Sequence, residues 1–358
     1  MLKIGIVGVG RAQDPGCKRG RSFIRVFQAL PETEVAAVCD LQTEGLEEVG
    51  REYGIKNLYD DYGRMLEADL DVVVVSTPAP LHAEHSIAAL TSGKHVLSEV
   101  PACYDIAECA KVVQAVRESG RKYMLAENVC YFAYVETWKE MIRAGRIGRP
   151  FYAEGEYVHD CRDLMVEADG RKTWRASMPP IHYITHSLGP LIQILDARCV
   201  SAVGMHTGSN VAPEIGAIDL EVAVFRMSSG AVMKQLCGFS VAREPSFIFL
   251  SIYGTKGVLE GKRWDGDEIK GYFEDVPNLH GMVRFPLNDR HTNVPKEALL
   301  GGHGTSEYFM IRNFIDCVLH DKKPPIDVYD AMDFTAPGLC AHISAENGSR
   351  PVDIPDFR

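Results

Sequence analysis

The first 126 residues alternate between short continuous apolar runs and stretches with helical spacing. Residues 2–9 form an apolar run ending in Gly8-Val9-Gly10, the pattern of a buried parallel strand entering a glycine turn. Residues 22–30 place Phe23, Val26, Phe27 and Leu30 on one helical face. Further strands are predicted at 35–39, 71–75, 95–99 and 123–126, with helices at 46–53, 80–91 and 106–119. This alternation predicts a doubly wound parallel sheet with right-handed crossovers.

After about residue 126 the pattern changes. A helix is predicted at 133–144, then longer runs of period two at 150–158, 199–207, 218–227, 231–240, 247–253 and 258–262. Such alternation suits a mostly antiparallel sheet with one face covered. Late helices are predicted at 310–320 and 330–347. The expected fold class is α/β: an N-terminal Rossmann domain over 1–126 and an α+β domain with a large, mostly antiparallel sheet over 127–358. A chain of 358 residues is too long for one ordinary core, which agrees with two domains.

A net charge of −11 argues against nucleic acid and anionic membrane as partners. No apolar run reaches the ~18 residues that span a bilayer, and the strand-like run begins too early for a targeting segment. The ten cysteines are scattered without a CxxC, so they read as reduced thiols in a cytoplasmic protein. The available sheet face suggests a homodimer or homotetramer, with two-fold pairing as the default.

Gly8-Val9-Gly10 after a strand is a fragment of the dinucleotide fingerprint: the first glycine permits the turn, and the second lets backbone approach a pyrophosphate. The third position is Gln13, and an insertion carrying Gly16 and Gly20 follows. That insertion explains why Asp40 lies 30 residues beyond Gly10 and not the usual ~20. Asp40 is placed for ribose hydroxyls, and Leu41-Gln42 bring no arginine for a 2′-phosphate, so the cofactor expected is NAD, not NADP. Arg11, Lys18, Arg19 and Arg21 are pyrophosphate candidates, although a solvated loop is the preferred reading for most of them. A flavodoxin-like sheet without a dinucleotide is the alternative.

The candidate chemistry lies in residues 178–190. His182 and His186 are four apart, so on one helix they share a face with β-carbons roughly 6 Å apart. Tyr183 stands between them, two prolines suit a helix start, and Gly189-Pro190 is unusual where a helix continues. A half-buried helix whose histidines satisfy carbonyls is the bland alternative. A metal held by His182, His186 and His159 is disfavoured, because no matched glutamate or cysteine stands near by.

A resemblance follows from longer motifs. Ser76-Thr77-Pro78, Leu81-His82, Ala88-Ala89-Leu90 and Gly93-Lys94-His95-Val96-Leu97-Ser98-Glu99-Val100-Pro101 resemble the Gfo/Idh/MocA oxidoreductase family, over the whole chain. In that family the fourth strand ends Glu-Lys-Pro, and the lysine hydrogen-bonds the hydroxyl being oxidised. Here Val100 replaces it, and valine cannot donate, accept or relay a proton. The family's catalytic histidine ends an Asp-x-Gly-x-His pattern: His186 falls on the histidine and His182 on the aspartate. Ala126-Glu127-Asn128-Val129-Cys130-Tyr131, Glu156-Tyr157-Val158-His159-Asp160, Thr173-Trp174-Arg175, Tyr183 through Pro190 and Gly302-His303-Gly304 are similar to the family's NAD-dependent glycosidases, of which the best known act as α-N-acetylgalactosaminidases. The stretch between Arg175 and Tyr183 is shorter here than in those enzymes, so the likeness is to mechanism more than to substrate.

The resemblance implies a cycle in which NAD⁺ takes hydride from C3 of a glycoside. The ketone acidifies the C2 proton, the aglycone leaves C1, water adds, and the hydride returns. Such a site needs bases for the hydroxyl and C2 protons, an acid at the leaving oxygen and polarisation of the ketone. The candidates are His186, Tyr157, Tyr183 and His182 for catalysis, and Glu127, Arg175 and His303 for substrate. Gly8, Gly10, Arg11, Asp40, Thr77, His82, Glu99 and Asn128 are the candidates for cofactor. A neutral histidine suits a base near pH 7, and a second one a turn away disfavours double protonation. Trp174 reads as packing, and His159-Asp160 as a loop-orienting pair. The substrate expected is a carbohydrate. The basic stretch Arg162, Arg171, Lys172 and Arg175 leaves an acidic sugar open. The other readings are a sugar, polyol or 3-keto-glycoside dehydrogenase, and a sugar-binding protein on a retired scaffold.

Overall fold

A computed structural model describes residues 1–10, 19–264 and 266–358. Its elements begin with β1 (Leu2–Val7), α1 (Arg19–Ala29), β2 (Thr33–Cys39), α2 (Thr43–Tyr53), β3 (Asn57–Tyr59), α3 (Tyr62–Leu66), β4 (Val72–Val75), α4 (His82–Thr91), β5 (His95–Ser98), α5 (Ile106–Ser119) and β6 (Tyr123–Leu125). The six strands form one sheet in the order β3-β2-β1-β4-β5-β6, every pair parallel. This is the dinucleotide-binding order, with its reversal beside β1. The strands read as unbroken apolar runs because both faces are covered: all four valines of β4 are buried. The unexpected pieces are β3 and α3, whose three and five residues are too short to show a period.

The chain continues with α6 (Ala133–Arg143), β7 (Pro150–Val158), α7 (Thr185–Leu195), β8 (Cys199–His206), β9 (Leu220–Met227), β10 (Val232–Gly238), β11 (Phe247–Gly254), β12 (Gly257–Glu260), β13 (Lys270–Phe273), β14 (Val283–Arg284), α8 (Ser306–Leu319), α9 (Val328–Glu346) and β15 (Val352–Asp353). Nine strands form the second sheet in the order β14-β13-β12-β11-β7-β10-β9-β8-β15. Its one parallel pair among the described residues is β10 with β7. Central strand β7 shows why the sheet has two characters. Ala153, Gly155 and Tyr157 take the face that α7 covers, while Glu154 and Glu156 on the other face pair with Lys234.

Two compact units result. The first takes 1–131, 293–332 and 357–358; the second takes 132–292 and 333–356. A single cut at residue 126 does not anticipate the return of 293–332, which brings α8 and the Gly301–Gly304 loop to the parallel sheet's unit. No helix among the described residues is long and apolar enough to cross a membrane.

Candidate active site

In the first unit, the turn after β1 places Gly8 at φ 90° and Gly10 at φ 56°, where side chains are strained. A β-carbon on Gly8 would lie 2.5 Å from the Ser76 carbonyl oxygen, and one on Gly20 only 2.4 Å from the Gly8 carbonyl oxygen. Gly20 thus does the close helix–strand packing that the fingerprint's third glycine provides, displaced by the insertion. Asp40 ends β2 and closes the turn: its Oδ2 accepts from the amides of Val9 at 2.8 Å and Gly10 at 2.7 Å. Its Oδ1 accepts from Gln42 N at 2.9 Å and keeps a lone pair for a ribose hydroxyl. The Asn128 Oδ1 is a buried acceptor without a hydrogen-bond partner among the described residues. Glycine turn, strand-end carboxylate and orphan acceptor fit NAD. Arg11 and Lys18 lie outside the described residues.

The remaining cofactor candidates hold loops. His82 is buried, with Nε2 2.7 Å from the Thr77 carbonyl and Nδ1 2.8 Å from the Pro101 carbonyl, so it ties the segment after β4 to the segment after β5. Thr77 Oγ1 meets His85 Nδ1 at 3.1 Å. Glu99 is salt-bridged to Arg19 and accepts from Val100 N at 3.2 Å. The solvated-loop reading of Arg19 and Arg21 is corrected here. Arg21 is buried and donates to the Gly10 carbonyl at 3.1 Å and to Glu48 at 2.7 Å. Arg19 joins Glu99 to Glu307. Glu127 is fully buried, its Oε1 accepting from Val129 N at 3.1 Å. Val100 is likewise buried.

In the second unit, Tyr157, Tyr183 and His186 come together. The His186 ring centre lies 5.2 Å from Tyr157 and 5.3 Å from Tyr183, both edge-on, and the two tyrosines stack at 6.2 Å. Phe239 closes the group at 5.7 Å from each tyrosine. Two elements set this geometry: β7 projects Tyr157 toward α7, and Ser187 donates to the Gln235 amide oxygen of β10 at 2.7 Å. Burial pushes the Tyr157 phenol up, the nearby Tyr183 adds to it, and Arg175 opposes. Tyr157 is therefore a proton-bearing phenol at neutral pH. Its hydroxyl stands 3.5 Å from His159 Nδ1, and burial holds that imidazole below its usual range.

His182 does not join this group. It belongs to a 3-10 turn, Pro180–Tyr183, and α7 starts only at Thr185, so the two histidines do not share one helical face. A chain that opens on two prolines and tightens to i→i+3 spacing rotates His182 away from His186. It packs instead edge-on to His342 at 5.2 Å. Burial, with the charge of His342, lowers its pKa to about 3. Glu221, also buried, pairs with His342 Nδ1 at 2.8 Å and accepts from Ile181 N at 3.0 Å.

Most of the basic stretch is neutralised locally. Arg162 pairs with Asp160 at 2.5 Å, Arg171 with Glu167 at 2.6 Å and Asp169 at 2.7 Å, and Lys172 donates to the Ile215 carbonyl at 2.6 Å. Arg175 stacks on Trp174 at 4.5 Å. His303 falls in the first unit, where its Nδ1 lies 2.6 Å from Glu307 Oε1. Phe239, His342, Glu221 and Glu307 are the participants that sequence reading missed. Only Glu307, four residues after His303, leaves a local signal.

Comparison with known proteins agrees with both units. Residues 2–127 match a family model described as the oxidoreductase family NAD-binding Rossmann fold, residues 135–260 match the GFO/IDH/MocA C-terminal domain, and residues 243–358 match the glycosyl hydrolase 109 C-terminal domain. A glycosyl hydrolase family 109 protein of Solibacter usitatus (strain Ellin6076) is 30% identical over 396 residues, covering 99% of this chain and 88% of the relative. Another from Streptomyces filamentosus is 29% identical, covering 99% and 77%. Among solved structures, levoglucosan dehydrogenase in complex with NADH superposes with a TM-score of 0.85 at 21% identity, with 99% of each chain covered. The myo-inositol 2-dehydrogenase of Lactobacillus plantarum superposes with a TM-score of 0.77 at 22% identity, again with 99% of each chain covered. The chain belongs to glycosyl hydrolase family 109, and is an NAD-dependent enzyme built on the Gfo/Idh/MocA pattern.

Proposed function

We propose that this enzyme hydrolyses a glycoside through transient oxidation at C3, deprotonation at C2, elimination of the aglycone and addition of water. The observation that carries the reading is the group of three proton-handling side chains, His186, Tyr157 and Tyr183, with ring centres 5.2 to 6.2 Å apart. Oxidation of an alcohol needs one proton acceptor; oxidation followed by elimination needs several. Val100, a buried side chain that cannot carry a proton, supports it.

NAD, when bound, supplies a reversible two-electron acceptor for the sugar ring. Gly8, Gly10, Asp40 and Asn128 would hold it, with Thr77, His82 and Glu99 fixing the loops around it. His186 takes the proton of the C3 hydroxyl, so that the O–H bond breaks as the N–H bond forms. Tyr157, held as a phenol by burial, donates to the ketone oxygen or to the departing oxygen. Tyr183, once its phenolic proton has passed to solvent, takes the C2 proton as its phenolate, so that the C2–H bond breaks as the O–H bond forms, and Arg175 stabilises the negative charge that develops on the sugar. His303 and Glu127 bind or order the sugar hydroxyls. His182, neutral and packed on His342, supports the turn that carries Tyr183.

Aryl glycosides of both anomers, supplied to the NAD⁺-loaded protein, test this. Aglycone release without net NADH is expected, and His186→Ala should slow it by about 10²-fold or more. No release, together with stoichiometric reduction of NAD⁺ by free sugars, would make the protein a sugar dehydrogenase.

A further inference from the structure

The first unit contains a buried charge cluster centred on Glu307, a residue to which the steps above give no role. Glu307 is the second residue of α8 and is fully buried. Its Oε1 receives Arg19 at 2.7 Å and Asn128 Nδ2 at 3.2 Å, and its Oε2 receives Ser306 Oγ at 3.0 Å and the His303 amide at 3.2 Å. The His303 Nδ1 stands 2.6 Å from Oε1, while the His303 side chain is 54% exposed. The Gly301–Gly304 loop is shaped around this carboxylate: a β-carbon on Gly301 would lie 2.4 Å from the Glu307 β-carbon and 2.9 Å from Oε2. An exposed i,i+4 ion pair is screened and weak. Here the acid is sealed and only the imidazole reaches outward.

We propose that Glu307 is a positioning residue that pins His303 by its Nδ1–H, so that Nε2 is presented as the proton acceptor toward a sugar hydroxyl or water. A carboxylate oxygen only accepts, so a nitrogen 2.6 Å away must carry the hydrogen. In a neutral imidazole the lone pair then falls to Nε2. The charged and polar groups facing this ring are Glu307, Arg19, whose NH1 lies 3.2 Å from Nδ1, and, through Arg19, Glu99 and Asn128. The guanidinium only donates, so at 3.2 Å it competes with Glu307 for Nδ1, and the shorter 2.6 Å carboxylate contact gives that nitrogen its hydrogen. Burial alone would raise the acid. The His303 bond and the Arg19 charge outweigh it and hold Glu307 at about 2, so it stays ionised and is a fixed anchor. When Nε2 accepts a proton, the substrate O–H bond breaks, the N–H bond forms, and the carboxylate stabilises the imidazolium without taking the proton itself.

The kinetic part of this inference rests on the reading that His303 meets the sugar; the tautomer does not. The full-length NAD-loaded protein, labelled with ¹⁵N-histidine and assigned with His303→Gln, decides it. His303 is expected as the Nδ1–H form with an unprotonated Nε2. Glu307→Gln should shift it toward the Nε2–H form and lower kcat for aryl glycosides by about 10-fold or more with a smaller change in KM, and Glu307→Asp should recover the Nδ1–H signature. An Nε2–H form in the wild-type protein, or a tautomer unmoved by Glu307→Gln, overturns the proposal. If that variant does not fold, the wild-type spectrum alone decides. Loss of the tautomer signature without loss of turnover would spare the pinning and remove the role of His303 in catalysis.

Discussion

Two histidines four residues apart end in different environments, and burial decides which is which. His186 faces two tyrosines; His182 is 7% exposed against His342, with its pKa lowered to about 3. The unfolded chain binds a proton at His182 near pH 6.5 and the folded chain does not until about pH 3. Between those values the unfolded state holds the extra proton, so stability rises with pH and falls as the solution is acidified, by up to about 1.4 kcal/mol per unit from this one group. Urea unfolding from pH 6.5 to 4.5 should show this slope in the wild type and a shallower one in His182→Gln. Equal slopes would mean that His182 is not held neutral. The spacing of His182 and His186 was plain in the sequence, but their separation was not. It depends on the chain taking a 3-10 turn over Pro180–Tyr183 before α7 begins. Tyr157 and His186 were legible because a motif carries them. Phe239 and Glu221 were not, because nothing local marks an apolar or acidic residue that acts across a sheet.

At the scale of elements, strand and helix positions followed from periodicity wherever a run was long enough to show one. Strand β7 has the bounds expected of it, and α5 does too. The glycine turn shows what the pattern hides. The fingerprint's third glycine is absent at Gln13, yet Gly20 sits against the Gly8 carbonyl at the start of α1 and provides the same close approach. Gly20→Ala places a β-carbon 2.4 Å from that carbonyl oxygen, so α1 or the turn must move. The expected result is NAD⁺ binding weakened by about tenfold or more, read by calorimetry, with a loss of about 1 to 3 kcal/mol of stability from overpacking. Unchanged affinity would show that the cofactor does not depend on this contact. The return of residues 293–332, α8 included, was the least legible feature, since no composition change marks its membership of the first unit.

For the whole molecule, membership of glycosyl hydrolase family 109 and the NAD-binding Rossmann domain define an NAD-dependent enzyme on the Gfo/Idh/MocA pattern. The fold alone does not choose between the proposed bond cleavage and plain oxidation, because levoglucosan dehydrogenase superposes over 99% of the chain. The proposed cleavage rests on the set of proton carriers around His186 together with Val100. The central claim is the loss and return of the C2 proton, and a reaction in deuterium oxide measures it. A glycoside substrate is turned over by the NAD⁺-loaded protein in D₂O, and the free sugar is analysed by NMR and mass spectrometry. Deuterium at C2 of the product is predicted. Glycoside hydrolysis with C2 fully protonated would contradict the oxidation–elimination route.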